Sequence, residues 1–599
     1  MTPSPAPRQT ARHLAAALLA LGSLALPAAA LAQDQRAQEQ RAQEQRAQGQ
    51  ELPPVTESME VVVVTVEVWV YDKDDIPIRG LTADNFEVLE DGVAVPISHF
   101  AEIQESTAPA RRLPPMVAPS QPGAPAPPPP AADEPPLLVV YFDHLHLTLS
   151  GTRRLVDDLK GLLASGIAPP ERVLVLSQGL DLASAASLGS TKKQIDEALT
   201  RVTKTPAVAR VDVRTSLARL QQLWESAQDR PDPCGVFTLD ARAEIAVYAA
   251  MAERSSTTTL DNLRRTARML TALPGPKTLL FVSDAMETRP GVELVRYATN
   301  LCGNSIDLSA VSHMGDAVAL GKQLQAFADE ASRNRITVYP FQASGLQTFA
   351  TMGPEQSRLE TTATSGVDSL LRSVQREGLV ELARQTGGWA VFDRNHFGKE
   401  FERLGTDMTS YYSLGYSPRQ PGVAASHGIE VHLKGELAEY ARLRHRLSYR
   451  GAEPANAMRD RLEGAIAFGA MRNPLGVRIA AGVLGEANAG RYGMPLHILV
   501  PAAEIAFLPQ GKGEQANIRV AVLARNAKNG QQVKLEQSFN PLRPPPSSEL
   551  LDLKMVLELP EGVHVVAVAV RDEVTGESSV VATTVSIHDP APSASPSGR

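Results

Sequence analysis

Asp143 ends the apolar run "LLVVYF" and opens a loop, "DHLHLTLS", that leads into a helical pattern. A carboxylate at the carboxyl end of a buried strand is where α/β folds gather metals and ligands. His144 and His146 stand beside it, and at i and i+2 they share one side if the strand continues. With Asp143 they would make part of a zinc set, but a further ligand has to come from elsewhere and no HExxH spacing supplies one. The plainer alternative is an acid that caps its own loop and pairs with a neighbouring donor. Cys234 and Cys302 are the chain's two cysteines. In an oxidising compartment such a pair favours a disulfide over a metal site, and two separate thiols stay open as the alternative.

Other chemistries find no footing. No G-x-S-x-G elbow, P-loop or G-x-G-x-x-G fingerprint follows a strand. The acid pairs at 74–75 and 157–158 read as turns or solvated faces. Tyr411, Tyr412 and Tyr416 read as sheet-packing aromatics, because no basic groove lies beside them. With a net charge of -8 and no Lys/Arg stripe, nucleic acid is not an expected partner.

The elements that must position Asp143 follow an alternating pattern. Strand candidates are "LLVVYF", "RVLVLS" (172–177), "KTLLFVS" (277–283), "ITVYPF" (336–341) and "WAVF" (389–392), with amphipathic helical stretches between them. Short apolar strands alternating with helices predict a parallel sheet wrapped on both faces, a Rossmann-like doubly wound domain over 137–409. On its N-terminal side, 59–105 reads as a small β module with an Asp-Gly hairpin at 91–92 and Thr82 capping a helical turn. On its C-terminal side, 410–450 reads as strands that pack with that module. A helical connector, 451–474, leads to a region of repeated short strands, 475–589, which predicts a β-sandwich.

At 599 residues the chain is too long for a single core, and its 45 prolines concentrate between these regions. The Pro/Ala-rich stretch 106–136 reads as a semi-rigid linker, the "RAQEQ" repeat within 33–58 as a polar spacer, and 590–599 as a disordered tail. Residues 1–32 carry Arg8, Arg12 and His13, then the apolar run Leu14–Leu26, then small residues at Ala30 and Ala32. That order is a secretory signal peptide cleaved before Gln33, so an exported, periplasmic or secreted protein without a membrane span is expected.

"GLTADNFEVLEDG", "VVYFDHLH", "KTLLFVSD", "ITVYPFQASGL", "LARQTGGWAVFDRN", "TSYYSLGYSP" and "RHRLSYRG" occur in this order over 59–450. Together they resemble the bacterial VWFA-related family, exported proteins with a divergent von Willebrand factor type A domain. The resemblance implies an A-type domain in or beside a β module. It also implies a Mg²⁺ site built from Asp-x-Ser-x-Ser, a Thr from a second loop and an Asp from a third. Asp143 matches the first acid, Asp284 the third-loop acid, and Thr257 or Thr258 in "SSTTT" the second-loop hydroxyl. The two serine positions are Leu145 and Leu147, which offer no oxygen, although Thr148 and Ser150 lie just downstream. The metal site therefore reads as degenerate. The expectation is a non-enzymatic adhesion or protein-binding protein that contacts an unknown extracytoplasmic protein through the loop face. A structural or envelope-assembly scaffold acting through the C-terminal sandwich is the alternative, and an unrecognised hydrolase ranks last.

Overall fold

A computed structural model describes residues 63–104, 111–112, 137–166, 168–179, 182–205, 213–302, 317–346, 367–420, 425–451, 454–482, 486–488, 490–510, 513–542 and 550–587. The expected signal peptide (1–32), the expected spacer (33–58), nearly all of the expected linker (106–136) and the expected tail (590–599) lie outside them. The architecture is α/β plus β.

The α/β part is built on a five-stranded sheet in the order Ile336–Phe341, Lys277–Val282, Leu137–Asp143, Val173–Gln178, Leu182–Ala186. The first four strands are parallel, and the fifth turns back antiparallel on its neighbour. The chain winds outward from Leu137–Asp143 to one side and then, from Lys277, to the other. The reversal of winding therefore falls between Leu137–Asp143 and Lys277–Val282, the place where open α/β sheets leave a crevice.

Every residue of Leu137–Asp143, Lys277–Val282 and Ile336–Phe341 is buried. Period-two alternation sends Leu138, Val140 and Phe142 to one face, against the helices Leu149–Ala164, Lys192–Val202 and Gly398–Thr409. Leu137, Val139 and Tyr141 go to the other, against Pro233–Met269, Ala317–Arg333 and Val367–Thr386.

Two four-stranded sheets form a sandwich from both flanks of this domain. In the first, Val64–Tyr71 runs antiparallel to Ser410–Tyr416, which also pairs with Ile97–Gln104. In the second, Ser426–Leu433 pairs with Phe86–Glu90. Val66, Val68, Phe86, Tyr412 and Leu414 fill the space between the sheets. The α/β domain thus leaves and re-enters the chain beside one sandwich. A second sandwich follows, with Arg491–Pro501 and Leu550–Pro560 in one sheet and Gly513–Asn526, Gly562–Asp572 and Ser578–Ile587 in the other. The connector helix Pro454–Phe468 lies between this sandwich and the α/β domain. Gly464 permits the contact, since a Cβ there would sit 1.9 Å from the Met269 carbonyl oxygen.

Several expectations change. "WAVF" is not a strand: Val391 makes only an isolated parallel bridge to Phe341. The segment after the Asp91-Gly92 turn divides at Pro96, which has no N–H to donate. Val93–Val95 completes the hairpin with Phe86–Glu90, whereas Ile97–Gln104 crosses into the other sheet. Periodicity also missed the strands Leu182–Ala186 and Gln532–Leu542 and the helix Val213–Ala227. The "SSTTT" run is no loop, because it lies inside the 37-residue helix Pro233–Met269.

Candidate functional site

Asp143 and Asp284 follow the two strands that flank the winding reversal, and both are fully buried, at 0% and 1% exposure. Four donors reach Asp143. Oδ1 accepts from the Leu145 amide at 3.2 Å and from Thr259 Oγ1 at 3.3 Å. Oδ2 accepts from Ser283 Oγ at 3.0 Å and lies 2.6 Å from His146 Nδ1. Behind Thr259, Gln178 donates from Nε2 to its hydroxyl at 3.2 Å, and the Tyr141 hydroxyl donates to Gln178 Oε1. Burial, with the Asp143 charge beside it, pushes the Tyr141 hydroxyl well above its ordinary pKa and keeps it a donor. Asp284 is held by backbone: Oδ2 accepts from the Thr148 amide at 2.9 Å and Oδ1 from the Ser344 amide at 2.6 Å.

The helix geometry explains which threonine reaches the acid. Successive residues turn by about 100°. Thr259 is buried and faces Asp143, while Thr258 returns its hydroxyl to the Arg254 carbonyl at 2.8 Å and Thr257 is half-buried. The hydroxyl expected from Thr257 or Thr258 is therefore supplied by Thr259. Leu145 and Leu147 are buried, and Leu147 belongs to the core beneath the sheet. Thr148 contributes its amide to Asp284.

These residues do not fit a Mg²⁺ centre. A hard divalent cation takes about six oxygens, and here the oxygens of both acids already accept from protein N–H and O–H groups while two candidate positions are hydrocarbon. Nor do they assemble a zinc set: both oxygens of Asp143, its carboxylate member, already meet protein donors, and the buried ring of His144 stacks on Phe142 at 6.4 Å. Burial lowers the His144 pKa against the pull of Asp143, which favours the neutral ring. Among the described residues no group of three His, Cys, Asp or Glu side chains is placed to hold a metal.

Three other polar groupings surround this centre. Cys234 and Cys302 form a disulfide with a Cα–Cα distance of 5.7 Å, tying the start of the long helix to the end of Val292–Cys302. Tyr248 donates to Glu287 Oε1 at 2.9 Å, and Glu293 is buried beside them at 0% exposure. Burial first, and then the Glu287 charge, push the Glu293 carboxyl up to about 8. At the junction with the first sandwich, Asp407 accepts from Tyr339, from Trp389 and from Arg444, and from the Tyr71 hydroxyl. Ser283, Gln178 and Thr259 were not singled out in the sequence, although Ser283 precedes Asp284 directly and Thr259 closes the "SSTTT" run.

No known family model matches the chain, and no curated protein does. Among solved structures, a chain from "Structural basis of neurohormone perception by the receptor tyrosine kinase Torso" is similar at 8% identity over 30% of this chain, with a TM-score of 0.11. The match spans 55% of that chain's own length, and a likeness this weak carries no argument about fold or activity.

Proposed function

We propose that this chain is an exported, non-enzymatic protein-binding protein whose divergent von Willebrand A-type domain presents its loop face to a protein partner without a bound divalent ion. The observation that carries the reading is the donor shell of Asp143, in which Leu145 N–H, Thr259, Ser283 and His146 satisfy the acid from within the protein. The strand order and the position of Asp143 and Asp284 at the winding reversal support the A-type comparison. Recognition then rests on shape and ordinary polar contacts of the surrounding loops. These include Leu346, 63% exposed, and the exposed run Arg394–His396, whose Asn395 side chain accepts from the Leu346 amide at 3.2 Å.

A second reading, a scaffold that makes its contacts through the C-terminal sandwich, draws on Val556, which is 55% exposed in the middle of Leu550–Pro560. A photo-crosslinking side chain placed at position 346 or at position 556 separates the two in cells that produce the protein. A discrete adduct from 346 and none from 556 supports the loop face. Adducts from 556 alone support the scaffold.

A further inference from the structure

A cleft of about 660 Å³ opens where the α/β domain, the connector helix and the C-terminal sandwich meet. Its walls come from the end of Pro233–Met269, from Ala317–Arg333, from Ser448–Arg450, from Pro454–Phe468 and from Gln532–Leu542. Seven lining side chains are Arg or Lys and three are acidic. On a chain whose net charge is -8, this is a concentrated local excess of positive charge.

The acids neutralise it only in part, three against seven cations. Glu330 is engaged by Arg333 at 3.3 Å, and Glu463 by Arg459 at 3.2 Å with Lys534 at 3.9 Å. Asp460 is half-buried, and its carboxyl is pushed up to about 6 by burial, with Glu330 and Glu463 adding to the shift and Arg268 opposing it. Among the described residues Arg264 has only Asp261 at 3.9 Å, and its Nε is buried without a hydrogen-bond partner. Arg265 and Arg450 are exposed and enter no ion pair among the described residues. Cations gathered in excess of their counter-ions repel one another, and an anion between them relieves the repulsion.

We propose that this cleft binds a compact, multiply charged phosphate-type anion, with Arg265 and Arg450 as its main contacts. Guanidinium forks match phosphate oxygens two at a time, which favours phosphate over a single carboxylate. The volume lies within the range of small-molecule sites, and such sites favour domain junctions. The phosphate can be soluble or part of a lipid headgroup.

The test titrates inorganic pyrophosphate into the full chain by calorimetry at about 50 mM and again at about 200 mM salt. Arg265→Ala/Arg450→Ala is compared with wild type and with Lys192→Ala/Lys193→Ala, a charge-matched change on an exposed helix elsewhere. All of these substitutions remove exposed side chains, and identical melting curves confirm that the fold is kept. One pyrophosphate per wild-type chain, weakened by salt and lost roughly tenfold or more only in the arginine variant, supports the site. A second arm sediments the same proteins with phosphatidylcholine vesicles with or without phosphatidic acid. Pelleting that needs phosphatidic acid and both arginines assigns the phosphate to a headgroup, and pyrophosphate binding without pelleting assigns it to a soluble anion. No binding in either arm, or equal loss in the lysine control, overturns the proposal.

Discussion

His146 Nδ1 lies 2.6 Å from Asp143 Oδ2, so a loop histidine three residues on closes the shell of a buried strand-end acid. Charge-assisted bonds of this kind are short and strong, and a buried acceptor left without one loses more than the bond's net value. His146→Ala is expected to lower the unfolding free energy by about 1–3 kcal/mol in urea denaturation, with partial recovery in His146→Gln. An unchanged midpoint in the alanine variant would show that the imidazole contributes nothing to holding Asp143.

A second buried acid joins the α/β domain to the first sandwich. Arg444 Nη2 lies 2.5 Å from Asp407 Oδ2, and its guanidinium sits 4.7 Å from the Trp69 ring centroid. Removing the arginine leaves a fully buried carboxylate without its cation, which typically costs 3–5 kcal/mol. Because Tyr71, Tyr339 and Trp389 still donate, Arg444→Met is expected near the lower end, about 3 kcal/mol. Asp407→Asn/Arg444→Met should be less destabilised than Arg444→Met alone. A double variant no more stable than the single one would mean that the pair's charge is not what matters.

Glu293 gives the molecule a pH dependence of opposite sign from an ordinary salt-bridged acid. Burial holds its folded pKa up to about 8, against an ordinary value of 4.5. The folded state therefore binds the extra proton between these values, and the unfolded state does not. Its contribution to stability is full below about 4.5, declines as pH rises through that window and is gone above about 8. Glu293→Gln should flatten this decline and raise the melting temperature at pH 8 relative to wild type. A parallel pH profile in the two proteins would refute the assignment.

The Cys234–Cys302 bridge spans 68 residues of sequence, a closure that restricts the unfolded chain. Cys234→Ser/Cys302→Ser is expected to lose about 4 kcal/mol, measured by denaturation against the oxidised wild type. Reduced wild type should match the variant. If reduction leaves stability unchanged, the bridge is not restraining the unfolded state.

Strand positions were legible in the sequence because the sheet's strands are apolar runs buried on both faces, as in "LLVVYF" and "KTLLFV". The edge was not: Leu182–Ala186 is half exposed and rich in small residues, and "WAVF" keeps one bridge although its composition reads as a strand. Asp143 could be read from the end of its apolar run and Asp284 from the family resemblance, whereas the winding reversal between them follows from the strand order. Their partners could not, since Thr259 is selected by the phase of a 37-residue helix, and Ser283 and His146 by how two loops fold back. Asp407 and Arg444 are 37 residues apart and meet only through packing between modules, which no local pattern encodes.

The most direct measurement is calorimetry of the purified chain with Mg²⁺, Mn²⁺ and Ca²⁺, alongside Asp143→Asn. Asp143 surrounded by its own N–H and O–H donors predicts no saturable heat with any of the three ions, and no difference between wild type and variant. Micromolar binding by wild type that disappears in Asp143→Asn would contradict the account.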